Sequence, residues 1–250
     1  MHTRLAAVVL VILSTAGGPP PAPRIPVLVE LFTSEGCSSC PTADALLEAL
    51  QRDQPVDGVA VIPVGLHIDY FDHLGWKDTF SAAAFTARQE EYARTFGPDS
   101  VYTPQIVVDG REAIAGNDRA LVAKSIAAAG RRPHLALHLT ARGADDGARI
   151  VVDLPAAPPR GEKIQVVAAV TEDDLTTAVP RGENKGRTLH HVAVARAVQT
   201  LEDLTVDARV LDTRLRLGRG WGPAHLNAVV WLQGVRTRQV YAVATAPILR

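Results

Sequence analysis

Apolar residues follow two regimes along the chain. Up to about residue 130, near-continuous apolar runs alternate with stretches of helical spacing. Val27 to Phe32 is apolar except for Glu30, and Val59 to Ile68 is apolar almost throughout. Such runs suit strands covered on both faces. Between Cys40 and Leu50 the apolar positions are Ala43, Leu46, Leu47 and Leu50, the spacing of one helix face. Thr79 to Thr95 has helical composition, with Phe85, Ala93 and Phe96 as core contacts, and Gly97-Pro98 ends it. A short strand, Gln105 to Val108, meets a two-residue hairpin signal at Asp109-Gly110 and returns as Arg111 to Ala115. Asn117 is placed to cap a last helix, Asp118 to Ala129, which Gly130 can end. The predicted order is β, α, β, α, β, β, α, a small α/β sheet.

After Pro133 the pattern changes. His134 to Thr140, Arg149 to Leu154, Lys163 to Thr171, Thr188 to Val198, Val206 to Leu211, Leu226 to Gln233 and Val240 to Thr245 read as strands. Turn signals separate them at Gly143 to Gly147, Pro155 to Gly161, Pro180 to Gly186 and Gly218 to Pro223. Seven strands at this spacing suggest an all-β sandwich-like unit. The expected division is an N-terminal segment over 1–24, an α/β domain over 25–132 and a sandwich-like domain over 133–250.

By pattern the N-terminal segment is a secretory targeting signal, the other reading being an uncleaved N-terminal anchor. Arg4 supplies positive charge, Leu5 to Leu13 is apolar, and Ser14 to Gly17 are small. A proline-rich linker follows to Pro23. A periplasmic or secreted location is expected. No run of about 18 apolar residues occurs, so no permanent membrane span is expected. With 26 basic and 27 acidic residues, net charge −1, the chain lacks the electrostatic footprint of a nucleic-acid binder.

Two cysteines are present, Cys37 and Cys40, in Cys-x-x-Cys spacing. They sit where a strand and loop run into a helix. The unpaired N–H groups and positive dipole end of that helix would stabilise a thiolate at Cys37 and lower its pKa. Cys40, one turn on, can resolve a mixed disulfide, and Pro41 fits the first turn because its missing N–H costs nothing there. Two other readings of the spacing stand beside the redox one: an inert local disulfide of an exported protein, and half of a metal site completed by histidines. The surrounding βαβ pattern favours the redox reading.

The strand Val27 to Phe32, the Cys37-x-x-Cys40-Pro41 helix start and Tyr102-Thr103-Pro104 before a strand resemble the thioredoxin superfamily over roughly residues 25 to 130. The resemblance implies a thioredoxin-like α/β fold. It makes Pro104 a cis-proline facing the cysteines, gives Thr103 a backbone role in holding a substrate chain, and makes Glu30 a buried acid aiding proton transfer. The other reading of Glu30 is a strand acid paired with Lys or Arg. Gly36 stands where that superfamily usually has tryptophan, and Ser38-Ser39 where Gly-Pro is usual. A closer similarity rests on Phe32 to Pro41, His67 to Tyr70, Leu74 to Asp78, Arg88-Gln89, Tyr92, Tyr102 to Gln105 and Gly182 to Leu189. These resemble a family of secreted bacterial proteins of unknown function with a thioredoxin-like first half and a β-rich second half.

Beyond the cysteines, His67, Asp69, Asp72 and His73 cluster after the second strand. They read as a loop-bonding group or a polar substrate wall, in preference to a metal site with the cysteines. Tyr70, Phe71, Trp76 and Tyr102 offer aromatic surface near the same rim. Arg88 and Tyr92 share a helix face. His190 and His191 are strand neighbours pointing to opposite faces, so they do not share a metal. The second half reads as a recognition module able to cover the redox face. The expectation is a thiol–disulfide oxidoreductase acting on protein thiols and disulfides, without cofactor or metal. Cys37, Cys40 and Glu30 would do the chemistry, and Thr103, Pro104, His67, Asp69, Tyr70 and Trp76 would hold substrate. The alternatives are a partner-binding protein with a structural disulfide and a metal-binding protein.

Overall fold

The computed structural model describes residues 23–97, 101–144, 147–157, 161–201 and 209–249. The expected export segment lies, but for its last two residues, outside the described residues. So do parts of the turns expected at Gly97-Pro98, Gly143 to Gly147 and Pro155 to Gly161, and the first three residues of the strand expected from Val206.

The first half contains β1 (Ile25–Thr33), α1 (Cys40–Asp53), β2 (Val59–His67), α2 (Ala83–Phe96), β3 (Gln105–Val108), β4 (Glu112–Ala115) and α3 (Arg119–Gly130). The second contains β5 (His138–Ala144), β6 (Gly147–Asp153), β7 (Ile164–Glu172), β8 (Leu175–Ala178), β9 (Thr188–His191), β10 (Val194–Leu201), β11 (Val210–Leu215), β12 (Leu226–Gly234) and β13 (Val240–Pro247). Helix α2 starts four residues later than composition suggests. The Asp78 carboxylate accepts the Phe80 N–H, and the Ser81 hydroxyl donates to Asp72, so these residues form a turn first. Asp118, not Asn117, caps α3, accepting the Leu121 N–H at 2.9 Å. Asp109 and Gly110 both take positive φ in the β3–β4 hairpin. Gly110 packs so closely on the Arg238 carbonyl that no side chain fits there.

The expected fold class, a thioredoxin-like α/β domain followed by an all-β sandwich-like domain, is overturned. The protein is mostly β, and one mixed eight-stranded sheet runs through both halves in the order β13-β12-β7-β10-β2-β1-β3-β4. The halves meet where β10 pairs β2 in parallel at Val194 and Gly65, with Gly65 N donating to Ala193 O at 2.8 Å. A three-stranded sheet, β11-β6-β5, and a hairpin, β8-β9, complete the strands among the described residues. The apolar run of β2 correctly shows burial on both faces. It carries no information about which strand fills the edge not paired with β1, and that edge is filled from the second half.

Alternation along the strands assigns the layers. Leu28 and Phe32 of β1, Val167 and Ala169 of β7, and Val229 and Trp231 of β12 form one core with Phe85 and Tyr92 of α2. On the opposite face, Val27, Val29 and Leu31 pack on α1 and α3, while Val166, Val170, Ala228 and Val230 pack on Ala148, Ile150 and Val152 of the small sheet. Helix α2 therefore bridges strands of both halves. Among its contacts is a buried polar knot. Arg88 donates from both Nε and Nη2 to the two oxygens of Glu30, the latter at 3.0 Å, and from Nη1 to Gln233 Oε1 at 3.2 Å. The Tyr92 hydroxyl donates to Glu30, and the Gln233 amide donates to that hydroxyl at 2.9 Å. The guanidinium lies 4.9 Å from the Trp231 ring.

Because Trp231 is fully buried in the shared core, Trp231→Ala is expected to lower unfolding free energy by about 3–5 kcal/mol in urea titration. A chain ending at residue 132 is expected to show no cooperative unfolding transition.

Candidate functional site

Strand β1 delivers the chain to a tight loop. Cys37 N donates to Ser34 O at 3.1 Å, Gly36 N to Ser34 Oγ at 3.1 Å, and Cys40 N to Cys37 O at 3.2 Å. Cys37 and Cys40 form a disulfide with Cα atoms 5.4 Å apart. Cys40 is the first residue of α1, Pro41 occupies the first turn, and no acid lies in that turn. Both cysteines are buried, at 2% and 0% exposure, while Ser38 and Ser39 face solvent. Ser39 Oγ lies 3.4 Å from Cys37 Sγ. The Thr103–Pro104 peptide is cis. A Cβ built at Gly116 would touch both Ala43 and Pro104, so Pro104 stands against the first turns of α1.

The second half closes over this loop. In the β8–β9 connection, the buried Asn184 amide donates to Glu35 O at 2.8 Å and to Cys37 O at 2.9 Å. Glu183 Oε2 accepts the Ser38 N–H at 2.9 Å. At the end of β9, the His191 ring stands between two carboxylates. Its Nε2 is 3.5 Å from Glu35 Oε1 and its Nδ1 is 3.9 Å from Asp44 Oδ2. Asp44 lies one turn after Cys40 on the same helix face and accepts the Thr33 hydroxyl at 2.8 Å. Trp76 Nε1 donates to Glu35 Oε2 at 2.8 Å. His67 pairs with Asp78 at 2.7 Å, and its ring meets that of His191 edge-on at 4.9 Å.

Glu35, Asp44, His67, Asp78 and His191 are all buried. Glu35 Oε1, Asp44 Oδ2 and His191 Nε2 have no hydrogen-bond partner among the described residues. Burial pushes the Asp44 carboxyl above the ordinary carboxylate range, against the pull of His191 and His67. Burial disfavours the charged form of His67, but Asp78, helped by Asp44 and Glu35, outweighs it and raises the imidazole pKa. Burial works against the Asp78 carboxylate too, yet His67 and the N–H groups of Glu35 and Phe80 hold its pKa down.

Of the residues singled out in the sequence, Cys37, Cys40, Thr103 and Pro104 lie at the ends of β1, α1 and β3. His67 and Trp76 reach the same rim through Asp78, His191 and Glu35. Asp69 turns toward α2 instead, where it accepts the Thr86 hydroxyl at 2.6 Å, while the Tyr70 hydroxyl interacts with the Thr103 side chain and also donates to Gln89 Oε1 at 3.1 Å. Glu30 is not brought to the cysteines. It points to the α2 face, α1 covers the other, and Arg88 holds its carboxylate. The ion-pair reading of Glu30 thus describes its position. Among the described residues, no group of three or more His, Cys, Asp and Glu side chains is arranged to hold a metal ion. Sequence reasoning missed Glu35, Asp44, Glu183, Asn184 and His191. Two signals were present: Asp44 interrupts an otherwise apolar helix stripe, and Gly182 to Leu189 is an unusually specific loop.

The chain matches the model of the family described as "Protein of unknown function (DUF1223)" over residues 28–233. A crystal structure of a protein from Agrobacterium tumefaciens is similar at 25% identity, over 90% of this chain and 95% of that one, with a TM-score of 0.66. The HBP35 protein of Porphyromonas gingivalis shares the fold at 14% identity, over 91% of this chain and 76% of that one, with a TM-score of 0.64. No curated protein matches.

Asp78→Asn leaves His67 without its buried counter-charge, so a loss of about 3–5 kcal/mol is expected. The raised His67 pKa contributes stability below its ordinary 6.5, lost as pH rises through the folded value. The lowered Asp78 pKa contributes above 3.8, lost as pH falls through the folded value. In denaturant titrations across pH, the gap between wild type and Asp78→Asn should be widest between those limits and narrow on both sides.

Proposed function

We propose that this protein, which belongs to the DUF1223 family, is an exported thiol–disulfide oxidoreductase whose redox centre is the Cys37–Cys40 pair. The observation that carries the reading is the disulfide closed across the start of α1, with Cys40 as its first residue. A thiolate formed just ahead of that helix meets unpaired N–H groups and the positive dipole end. The apolar segment and linker over residues 1–24 support export, where a disulfide persists. Among the described residues no helix is long and apolar enough to cross a membrane.

In the direction starting from the disulfide, a thiolate of a partner protein attacks Cys37 Sγ. The Cys37–Cys40 bond breaks, a mixed disulfide forms, and Cys40 leaves as a thiolate that takes up a proton. A second thiolate of the partner then attacks the partner sulfur of the mixed disulfide, and Cys37 leaves. The partner dithiol is oxidised by two electrons and the pair is reduced. The reverse sequence reduces a partner disulfide. Thr103 and Pro104, beside α1, are the backbone against which the partner chain would lie. Asp44, one turn from Cys40, with His191 and Glu35, is the group suited to exchange the Cys40 proton, because burial disfavours its charged form. Glu30, paired with Arg88, acts through the fold.

A second reading, a partner-binding protein stapled by a structural disulfide, draws support from the burial of both cysteines and the Asn184 bonds to the loop.

Equilibration with glutathione buffers and insulin reduction separate the two. Wild type should exchange and Cys37→Ala should not. Cys40→Ala should trap partners on Cys37, and Asp44→Asn should slow exchange about tenfold or more. A wild-type disulfide inert to glutathione would leave the stapled binder as the function.

A further inference from the structure

We infer that Glu183, carried by the second half of the chain, sets how readily Cys37 forms a thiolate and thereby the redox poise of the pair. The inference deepens the oxidoreductase reading and rests on it for its biological meaning, though the thiolate effect is measurable alone.

Ser38 N–H follows Cys37 directly in the chain, at the mouth of the helix. It is one of the donors that a Cys37 thiolate would draw on. In the disulfide form this donor is already taken by Glu183 Oε2 at 2.9 Å. Helix α1 has no acid in its own first turn, so the carboxylate at its entrance is supplied from about 145 residues away in sequence. Among the described residues no cation pairs with Glu183. The neighbouring Arg187 donates to Asn184 Oδ1 instead.

The carboxylate is held in place by its loop. Asn184 is 1% exposed and donates to two carbonyls of the cysteine loop. Gly182 has φ +79 and packs where a Cβ would meet that of Trp76 at 3.1 Å, so the turn before Glu183 requires glycine. The Ser38 hydroxyl, and after it the Ser38 N–H, hold the Glu183 carboxyl below the ordinary carboxylate range, so it is charged at neutral pH. The charged groups flanking Glu183 on its own loop are Arg181, Lys185 and Arg187; Glu35, Asp44 and His191 are buried behind the loop, and Ser39 Oγ is the hydroxyl within reach of Cys37 Sγ.

When the disulfide is reduced, the two sulfurs gain two electrons and two protons in total, and Cys37 then partitions between thiol and thiolate. A negative charge on the same N–H repels that thiolate and competes for its donor. The Cys37 pKa rises, the reduced form loses stabilisation, and the pair is held toward the disulfide. A partner chain that displaces the Gly182–Asn184 loop removes the repulsion as it arrives, so the thiolate becomes a good leaving group only with the partner bound.

Glu183→Gln keeps the shape and one acceptor oxygen but removes the charge. Two quantities decide: the pH dependence of Cys37 alkylation in the chemically reduced, full-length protein, and the reduced fraction in defined glutathione buffers at pH 7. The variant should titrate at lower pH, and its reduced-to-oxidised ratio should rise about three- to tenfold. The difference from wild type should shrink at high salt, since an exposed charge is screened. Glu183→Ala should move the titration in the same direction, and neither variant should change the urea midpoint of the oxidised protein, because Glu183 is exposed. A Glu183→Gln titration that overlays wild type overturns the inference and leaves the oxidoreductase reading intact. A shifted titration in a protein whose disulfide ignores glutathione does the opposite.

Discussion

The buried contact between Glu30 and Arg88 is the constraint on which the rest of the molecule depends. Glu30 lies on β1, Arg88 on α2, and the remaining guanidinium valences reach Gln233 and the Trp231 ring on β12. Three elements from the two halves of the chain therefore share one polar knot inside an apolar core. Taking two charges out of water costs several kcal/mol per ion, and their attraction repays this only with good geometry and full hydrogen bonding. The bidentate pairing, the Tyr92 hydroxyl and the Gln233 amide supply that. Burial alone would drive Arg88 toward neutrality, and Glu30 more than reverses it. Such a pair fixes register and orientation more than it adds stability: with α2 anywhere else, an uncompensated charge would remain in the core.

With α2 fixed over β1 and β12, the large sheet must be continuous beneath it. The β2–β10 contact is slight in backbone terms, one bridge plus the Gly65 to Ala193 hydrogen bond. It holds because the shared core above it is closed by side chains from both sides. Continuity of the sheet brings β9 onto α1. From there His191 reaches Glu35 and Asp44, and the loop before β9 reaches the cysteines. The cysteine pair is thus enclosed partly by its sequence neighbours Glu35 and Asp44 and partly by Glu183, Asn184 and His191, which the fold delivers from far along the chain.

The surroundings of the cysteine pair are rich in buried charge. Five titratable side chains are buried behind the loop, of which His67 and Asp78 are directly hydrogen-bonded to each other. Two atoms without hydrogen-bond partners, Glu35 Oε1 and His191 Nε2, face each other across 3.5 Å, and a third, Asp44 Oδ2, lies 3.9 Å from His191 Nδ1. Unpaired buried polar atoms are costly, and these lie against the first turn of α1. Both sulfurs are buried, and the exposed Glu183 carboxylate and the buried Asn184 amide of the β8–β9 loop bond the backbone around Cys37.

The sequence by itself determined the elements of the first half, the cysteine pair at a helix start, the Asp109-Gly110 hairpin and the burial of β1 and β2. Each follows from local rules: periodicity, positive-φ residues and the apolar content of a short run. It also exposed Glu30 as an acid needing a partner, and Arg88 and Tyr92 as a pair on one face, without joining them. Only the tertiary structure decided that Glu30 faces away from the cysteines, that two expected domains share one sheet, and that Glu183, Asn184 and His191 belong to the site. The physical reason is common to all three. Alternation tells which face of a strand is buried, but strand edges carry identical N–H and C=O groups, so sequence does not say which strand pairs with which. That choice was made by the core under α2, and the surroundings of Cys37 followed from it.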